Sequence, residues 1–205
     1  MGPDTERSLR GLLDEVAAAT PAPGGGSAAA WTCALAAALV QMTAAFTLAR
    51  PDAADRHERM REIAAQAEAQ RHSAIELAER ELESFTPVLT ALRLPAGEER
   101  SRAVDRALSA AAETPLAIAR LAAGLAALAL EARELATPHL RADALAGLLL
   151  AEGACQASAV LVATNLRDRP QDERLGELGE LTRCAAAARG RASGGPTSRA
   201  YRPGP

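Results

Sequence analysis

The 205-residue sequence contains no lysine: all 23 of its basic residues are arginine. Aromatic residues make up 2% of the chain, with one Trp, one Tyr and two Phe. β-Branched residues are also scarce. These shortages exclude a β-sandwich or barrel, whose strands are built from such side chains. Cys33, Cys155 and Cys184 stand far apart and form no CxxC pair. The sequence therefore offers no disulfide framework, and the usage suits a reducing cytosol, so a cytoplasmic location is expected. The three histidines and three cysteines show no metal-ligand spacing, so neither a metal nor a cofactor is expected. No basic patch is interleaved with aromatics, which argues against nucleic acid. The first ten residues are charged rather than apolar, so no signal peptide is expected.

What the chain has in abundance is alanine, 52 residues of it. Hydrophobic residues reach 48% and the net charge is only −3, which excludes disorder. Ala, Leu, Arg and Glu all favour helix. The reading is all-α: an antiparallel up-and-down bundle of about six helices, in one domain over residues 1–189, with a disordered tail over 190–205.

Asp4 can cap a first helix to about Ala19, with Glu6 in its first turn. Three glycines follow Pro21 and Pro23, and Ser27 is a natural N-cap for a second helix to about Arg50. A third runs over about 53–92, with a kink near Glu83 caused by Pro87. A fourth covers about 98–136, kinked or split at Pro115. The fifth spans about 141–166. The sixth, over about 172–189, is interrupted by Gly176 and Gly179. The third and fourth approach 40 residues, or roughly 60 Å, longer than a compact monomer of this size. Their surplus apolar faces suggest a homodimer.

Residues 21–49 carry no charge and are long enough to span a bilayer. Alanine gives little transfer energy, and Ser27, Thr32, Gln41, Thr43 and Thr47 interrupt the stretch. A buried core helix is expected, and no membrane.

Two features point to chemistry. The segment Pro21-Ala22-Pro23-Gly24-Gly25-Gly26-Ser27 places exposed backbone N–H groups at a helix N-terminus, which suits an anion. It lacks the lysine of a P-loop, and it also reads as a tight interhelical turn with a Ser cap. One side of the fifth helix reads Asp143, Gly147, Ala151, Ala154, Ser158, Leu161, Asn165. It is small in the middle and polar at both ends, so another backbone or a flat ligand can come close. Asp143 serves there as a catalytic carboxylate or as a helix-start residue.

The run PAPGGGSAAAWTCALAAALVQMTAAFTLAR resembles the opening motif of the cyclodeaminase/cyclohydrolase family. That family includes the C-terminal domain of formiminotransferase-cyclodeaminase and stand-alone methenyltetrahydrofolate cyclohydrolases. FTPVLTALRLP at residues 85–95, Ala111 to Leu116, the segment from Thr137 to Asp143, and Asn165-Leu166 resemble further family segments in the same order. The likeness covers about residues 8–170.

The resemblance implies an all-α homodimer that acts on a tetrahydrofolate one-carbon adduct. It would hydrolyse 5,10-methenyl-tetrahydrofolate, or cyclise 5-formimino-tetrahydrofolate with release of ammonia. It implies Asp143 as the catalytic carboxylate. It implies Gly24, Gly25, Gly26 and Ser27 as backbone donors to substrate, with Asn165 and Glu81 beside them; Arg93 can hold a substrate carboxylate or form a surface salt bridge.

The sequence also departs from the pattern. Glu79 and Glu81 stand where many relatives carry Asp-x-Asp, and Thr137 and His139 stand where the family has two asparagines. A catalytically degenerate helical dimer, serving as a folate- or partner-binding module, is the alternative.

Overall fold

A computed structural model describes residues 8–193. It contains α1 (Leu9–Ala17), α2 (Gly25–Leu48), α3 (His57–Ser84), α4 (Thr86–Leu92), α5 (Glu98–Ala111), α6 (Glu113–Leu135), α7 (Arg141–Asn165) and α8 (Glu173–Ser193). Two 3₁₀ turns, Pro51–Arg56 and Pro138–Leu140, lead into α3 and α7. No strand occurs among the described residues.

The expected all-helical class holds, with eight α-helices in place of six. Two prolines account for the difference. Pro87 has no N–H to give and its ring crowds the preceding turn, so the expected long third helix breaks at Phe85. Pro115 does the same to the fourth at Ala112, where α5 and α6 meet. Neither 40-residue helix is continuous; α3, at 28 residues, is the longest.

Other boundaries also move. Asp4 and Glu6 lie outside the described residues, as does the end of the expected tail. Ser8 caps α1 by accepting a hydrogen bond from the Gly11 N–H at 3.1 Å. Gly24, not Ser27, precedes α2. Gly176 and Gly179 do not interrupt α8, which runs past Arg189.

Helix α2 is the centre of the bundle, packed by α3, α6 and α7. Cys33, Ala36, Ala37, Val40 and Ala44 are fully buried along it. Met60 and Ile63 of α3, Leu116 and Leu125 of α6, and Leu148 and Val162 of α7 supply the bulk around it. Two of its hydroxyls bond within the helix: Thr32 Oγ1 donates to Ala28 O at 2.8 Å, and Thr47 Oγ1 to Thr43 O at 2.9 Å, while the buried Thr43 Oγ1 has no partner among the described residues. Such internal bonds let an uncharged helix carry Thr47 through a core.

The close packing depends on Gly147. A Cβ there would lie 3.2 Å from Ala36 O and 3.5 Å from Leu39 Cβ. The small side of α7 therefore meets backbone: Gly147, Ala151, Ala154 and Ser158 are all buried.

Arginine forks tie the outside together. Arg59 grips both oxygens of Glu131 at 2.6 Å, and Arg169 grips Asp105 at 3.0 and 2.6 Å. Arg174 joins Asp172, Glu113 and Ser109. Such two-point contacts need a planar fork, which lysine lacks.

Three helical stretches, Gly25–Leu48, Glu98–Leu135 and Pro138–Asn165, are long and apolar enough to cross a membrane by length and composition. In the fold, 67% of the apolar window of the second is buried inside the protein.

Gly147→Val is expected to lower unfolding free energy by about 1–3 kcal/mol, as overpacking against backbone does. Gly176→Ala, in open space on α8, is expected to raise it by about 0.5–1 kcal/mol. Urea unfolding followed by circular dichroism checks both.

Candidate functional site

The first turn of α2 receives no side-chain cap. Its N–H groups and dipole therefore carry uncompensated positive character. Above it lies the end of α3. A Cβ on Gly26 would fall 2.1 Å from Glu81 Oε1 and 2.4 Å from its Cδ. The Glu81 carboxylate thus occupies the space that any other residue at position 26 would fill. Glycine is needed there for the close approach of a side chain.

Glu81 Oε2 is buried and has no hydrogen-bond partner among the described residues. Burial raises the Glu81 pKa above its ordinary value of 4.5, with a smaller opposing effect from Ser84. The Ser84 hydroxyl itself donates to the Glu81 main-chain carbonyl at 3.0 Å. A carboxyl that gives up its proton nearer neutrality suits proton transfer.

Ser27 has a structural duty. It is the third residue of α2, fully buried, and its Oγ donates to Ala78 O of α3 at 3.4 Å. This bond sets the end of α3 over the first turn of α2. Gly25 faces α7, where a Cβ would lie 3.7 Å from the Leu161 side chain.

Asn165, one turn beyond Leu161, belongs to the same end of the bundle. Pro115 has no N–H for Ala111 O, the carbonyl four residues before it. Asn165 Nδ2 donates to that carbonyl at 3.1 Å. Asn165 thus fixes the α5–α6 junction beside the glycine turn.

Asp143 lies elsewhere. It is in the first turn of α7, eighteen residues before Leu161. At 1.5 Å per residue, that places it about 27 Å from the glycine turn within one chain. Its neighbours in sequence are Thr137 and His139, whose side chains meet at 3.4 Å. The structure therefore brings together Gly24 to Ser27, Glu81 and Asn165, and does not bring Asp143 to them.

Arg93 is exposed at the C-cap of α4, a helix that packs on α5 rather than α2. Between α4 and α5 is a cavity of about 550 Å³ that Arg93 does not line. Arg106 of α5 lines it instead. Nothing in the sequence marked Arg106, because one arginine on an amphipathic helix looks like any solvated residue. Glu152 of α7 is bound by Arg189 Nε at 2.8 Å. No cluster of three or more metal-binding side chains occurs among the described residues.

Comparisons with known proteins agree on one group. Residues 8–180 match the family model described as formiminotransferase-cyclodeaminase. A methenyltetrahydrofolate cyclohydrolase of Methylorubrum extorquens is 29% identical over 189 residues, which is 88% of this chain and 91% of that protein. The formimidoyltransferase-cyclodeaminase of Mus musculus is 35% identical over 119 residues. That match covers 56% of this chain and 22% of the mouse protein. The crystal structure of formiminotetrahydrofolate cyclodeaminase from Thermotoga maritima superposes with a TM-score of 0.80 at 26% identity, covering 92% of each chain.

Two substitutions test the local geometry. Below about pH 4.5 Glu81 is neutral in both folded and unfolded chains, so its burial costs nothing. As pH rises past that value the unfolded chain ionises while the folded one resists, and stability falls until the raised folded pKa is passed. Glu81→Gln removes the penalty, so it is expected to raise Tm at pH 8 and leave it unchanged at pH 4. Gly26→Ala is expected to displace Glu81 and abolish that pH-dependent difference. Thermal melts at the two pH values check both.

Proposed function

The chain belongs to the formiminotransferase-cyclodeaminase family, and we propose that it is an enzyme of folate one-carbon metabolism. It hydrolyses 5,10-methenyl-tetrahydrofolate, or closes 5-formimino-tetrahydrofolate with release of ammonia, without a metal or cofactor. The observation that carries this reading is the Glu81 carboxylate, held unpaired against Gly26 at the start of α2.

Both reactions pass through a tetrahedral carbon between two nitrogens. In hydrolysis, water adds to the methenyl carbon and Glu81 accepts its proton. The bond from carbon to N5 then breaks, with the proton passed to that nitrogen, and the formyl group stays on N10. In cyclisation, N10 adds to the formimino carbon and the same carboxyl protonates the departing ammonia. A pKa raised by burial suits either direction of transfer. The ionised carboxylate also attracts the cationic amidinium, and first-turn N–H groups of α2 stabilise oxygen charge as it develops.

We place the enzyme in the cytosol as a homodimer of antiparallel bundles. Support for the dimer comes from apolar side chains left exposed on the two central helices. They are Leu35 and Phe46 on α2, and Leu149, Leu150 and Val160 on α7. A two-fold contact along this stripe would pair opposite ends of the two subunits. The partner subunit's Asp143 would then stand at the glycine turn of the first, completing a site that one chain leaves open.

Loss of methenyl absorbance on incubation with 5,10-methenyl-tetrahydrofolate, faster than in buffer, is the expected result. Without such acceleration, calorimetric folate binding would leave the degenerate binding module, and no binding would reject both readings. Glu81→Gln and Asp143→Ala should each abolish turnover while keeping the helical signal. Mixed and allowed to exchange subunits, they should recover about a quarter of wild-type activity, because half the mixed population has one intact site per dimer. No recovery would reject the shared site.

A further inference from the structure

We propose that the cavity between α4 and α5 is the subsite for the benzoyl-glutamate half of the folate, with Arg106 pairing its carboxylates. This rests on the folate reading above and extends it to a residue and a cavity outside the glycine turn.

The walls are mainly apolar: Pro87 and Ala91 on α4, with Leu94 just past its end, face Ala103 and Ala107 on α5, and Thr86 and Thr90 add two hydroxyls. The volume, about 550 Å³, lies within the roughly 300–1,000 Å³ of small-molecule sites. Such walls suit a flat aromatic ring better than the polar edge of a pterin, since the Thr90 hydroxyl is already spent on Thr86 O at 3.1 Å. Arg106 is exposed and makes no hydrogen bond or ion pair among the described residues. Its sequence neighbour Asp105 shares its charge with Arg106 at a distance, but both Asp105 oxygens are bonded to Arg169. An unpaired guanidinium beside an apolar slot recognises a ring that carries a carboxylate.

The cavity also lies close to the site along the chain. Thr86 lines it, five residues past Glu81 and across the single break at Phe85. That separation is about 8 Å along the helix direction. A folate whose one-carbon bridge sits at Glu81 would thus run its benzoyl ring toward α4. The α5 wall is fixed from behind by Arg169 on Asp105, Arg174 on Ser109 and Asn165 on Ala111 O. That wall is therefore in place before ligand arrives.

The test compares Arg106→Gln with wild type on two substrates. These are 5,10-methenyl-tetrahydrofolate and the corresponding methenyl-tetrahydropteroate, which lacks the glutamate. The expected result is a rise of about tenfold in KM for the folate, with kcat unchanged and no change for the pteroate. Arg102→Ala, exposed on α5 and outside the cavity, should leave both KM values at wild type. An unchanged KM in Arg106→Gln, or an equal rise for both substrates, would overturn the proposal. Calorimetry with p-aminobenzoyl-glutamate separates the two readings if neither substrate is turned over. Binding by wild type that is lost in Arg106→Gln would then support the subsite while the enzyme reading fails. No binding by wild type, or equal binding by both proteins, would overturn the subsite.

Discussion

The fold depends on how closely other chain segments approach the backbone of α2. That helix contributes few side chains large enough to hold its neighbours away. Where α7 crosses it, Gly147 lies against Ala36 O; where α3 ends over it, Glu81 lies against Gly26. In both, the nearest approach is between helix backbone and a neighbouring chain segment. An alanine-rich composition is thereby a packing rule: short side chains bring the helices together, and leucines at the margins seal the gaps.

The same closeness creates the site. A carboxylate placed on a helix N-terminus is normally stabilised in its charged form by the dipole and by N–H donors. Glu81 is close to that terminus, yet its Oε2 has no donor and burial raises its pKa. Desolvation outweighs the favourable field, and the group is left poised rather than locked as a charge. The cysteines show the contrast. Burial pushes Cys33 up to about 12, so that thiol is a packing group without nucleophilic character.

Much of this arrangement was legible in the sequence. Composition excluded β-structure, prolines and glycines marked the element ends, and the small side of α7 predicted its buried contact. The glycine turn and Glu81, far apart in sequence, were both singled out, and they meet. What escaped has identifiable causes. Ser27 looked like a cap because its hydroxyl precedes an apolar run, but its bond goes to Ala78 O on another helix. Asn165 looked like a ligand group, whereas Pro115 leaves a carbonyl that it must satisfy. Asp143 and Asn165 share one helical face, but helical periodicity says which residues face together, not how far apart along the axis they lie. Arg106 drew no notice because its importance comes from the α4 wall opposite.

The absence of lysine has a structural counterpart, though not a functional one. Two ion pairs between helices, Arg59 on Glu131 and Arg120 on Glu177, are built as two-point arginine forks, which fix orientation as well as distance. They hold the exterior of a bundle whose interior is made of small groups. The central claim is that Glu81 is a desolvated, unpaired carboxyl at the glycine turn. Carbon-13 NMR of glutamate-labelled protein, with the Glu81 side-chain carboxyl carbon assigned by its loss in Glu81→Gln, measures this directly. The account predicts a titration midpoint clearly above the ordinary 4.5; a midpoint at or below 4.5 would contradict it.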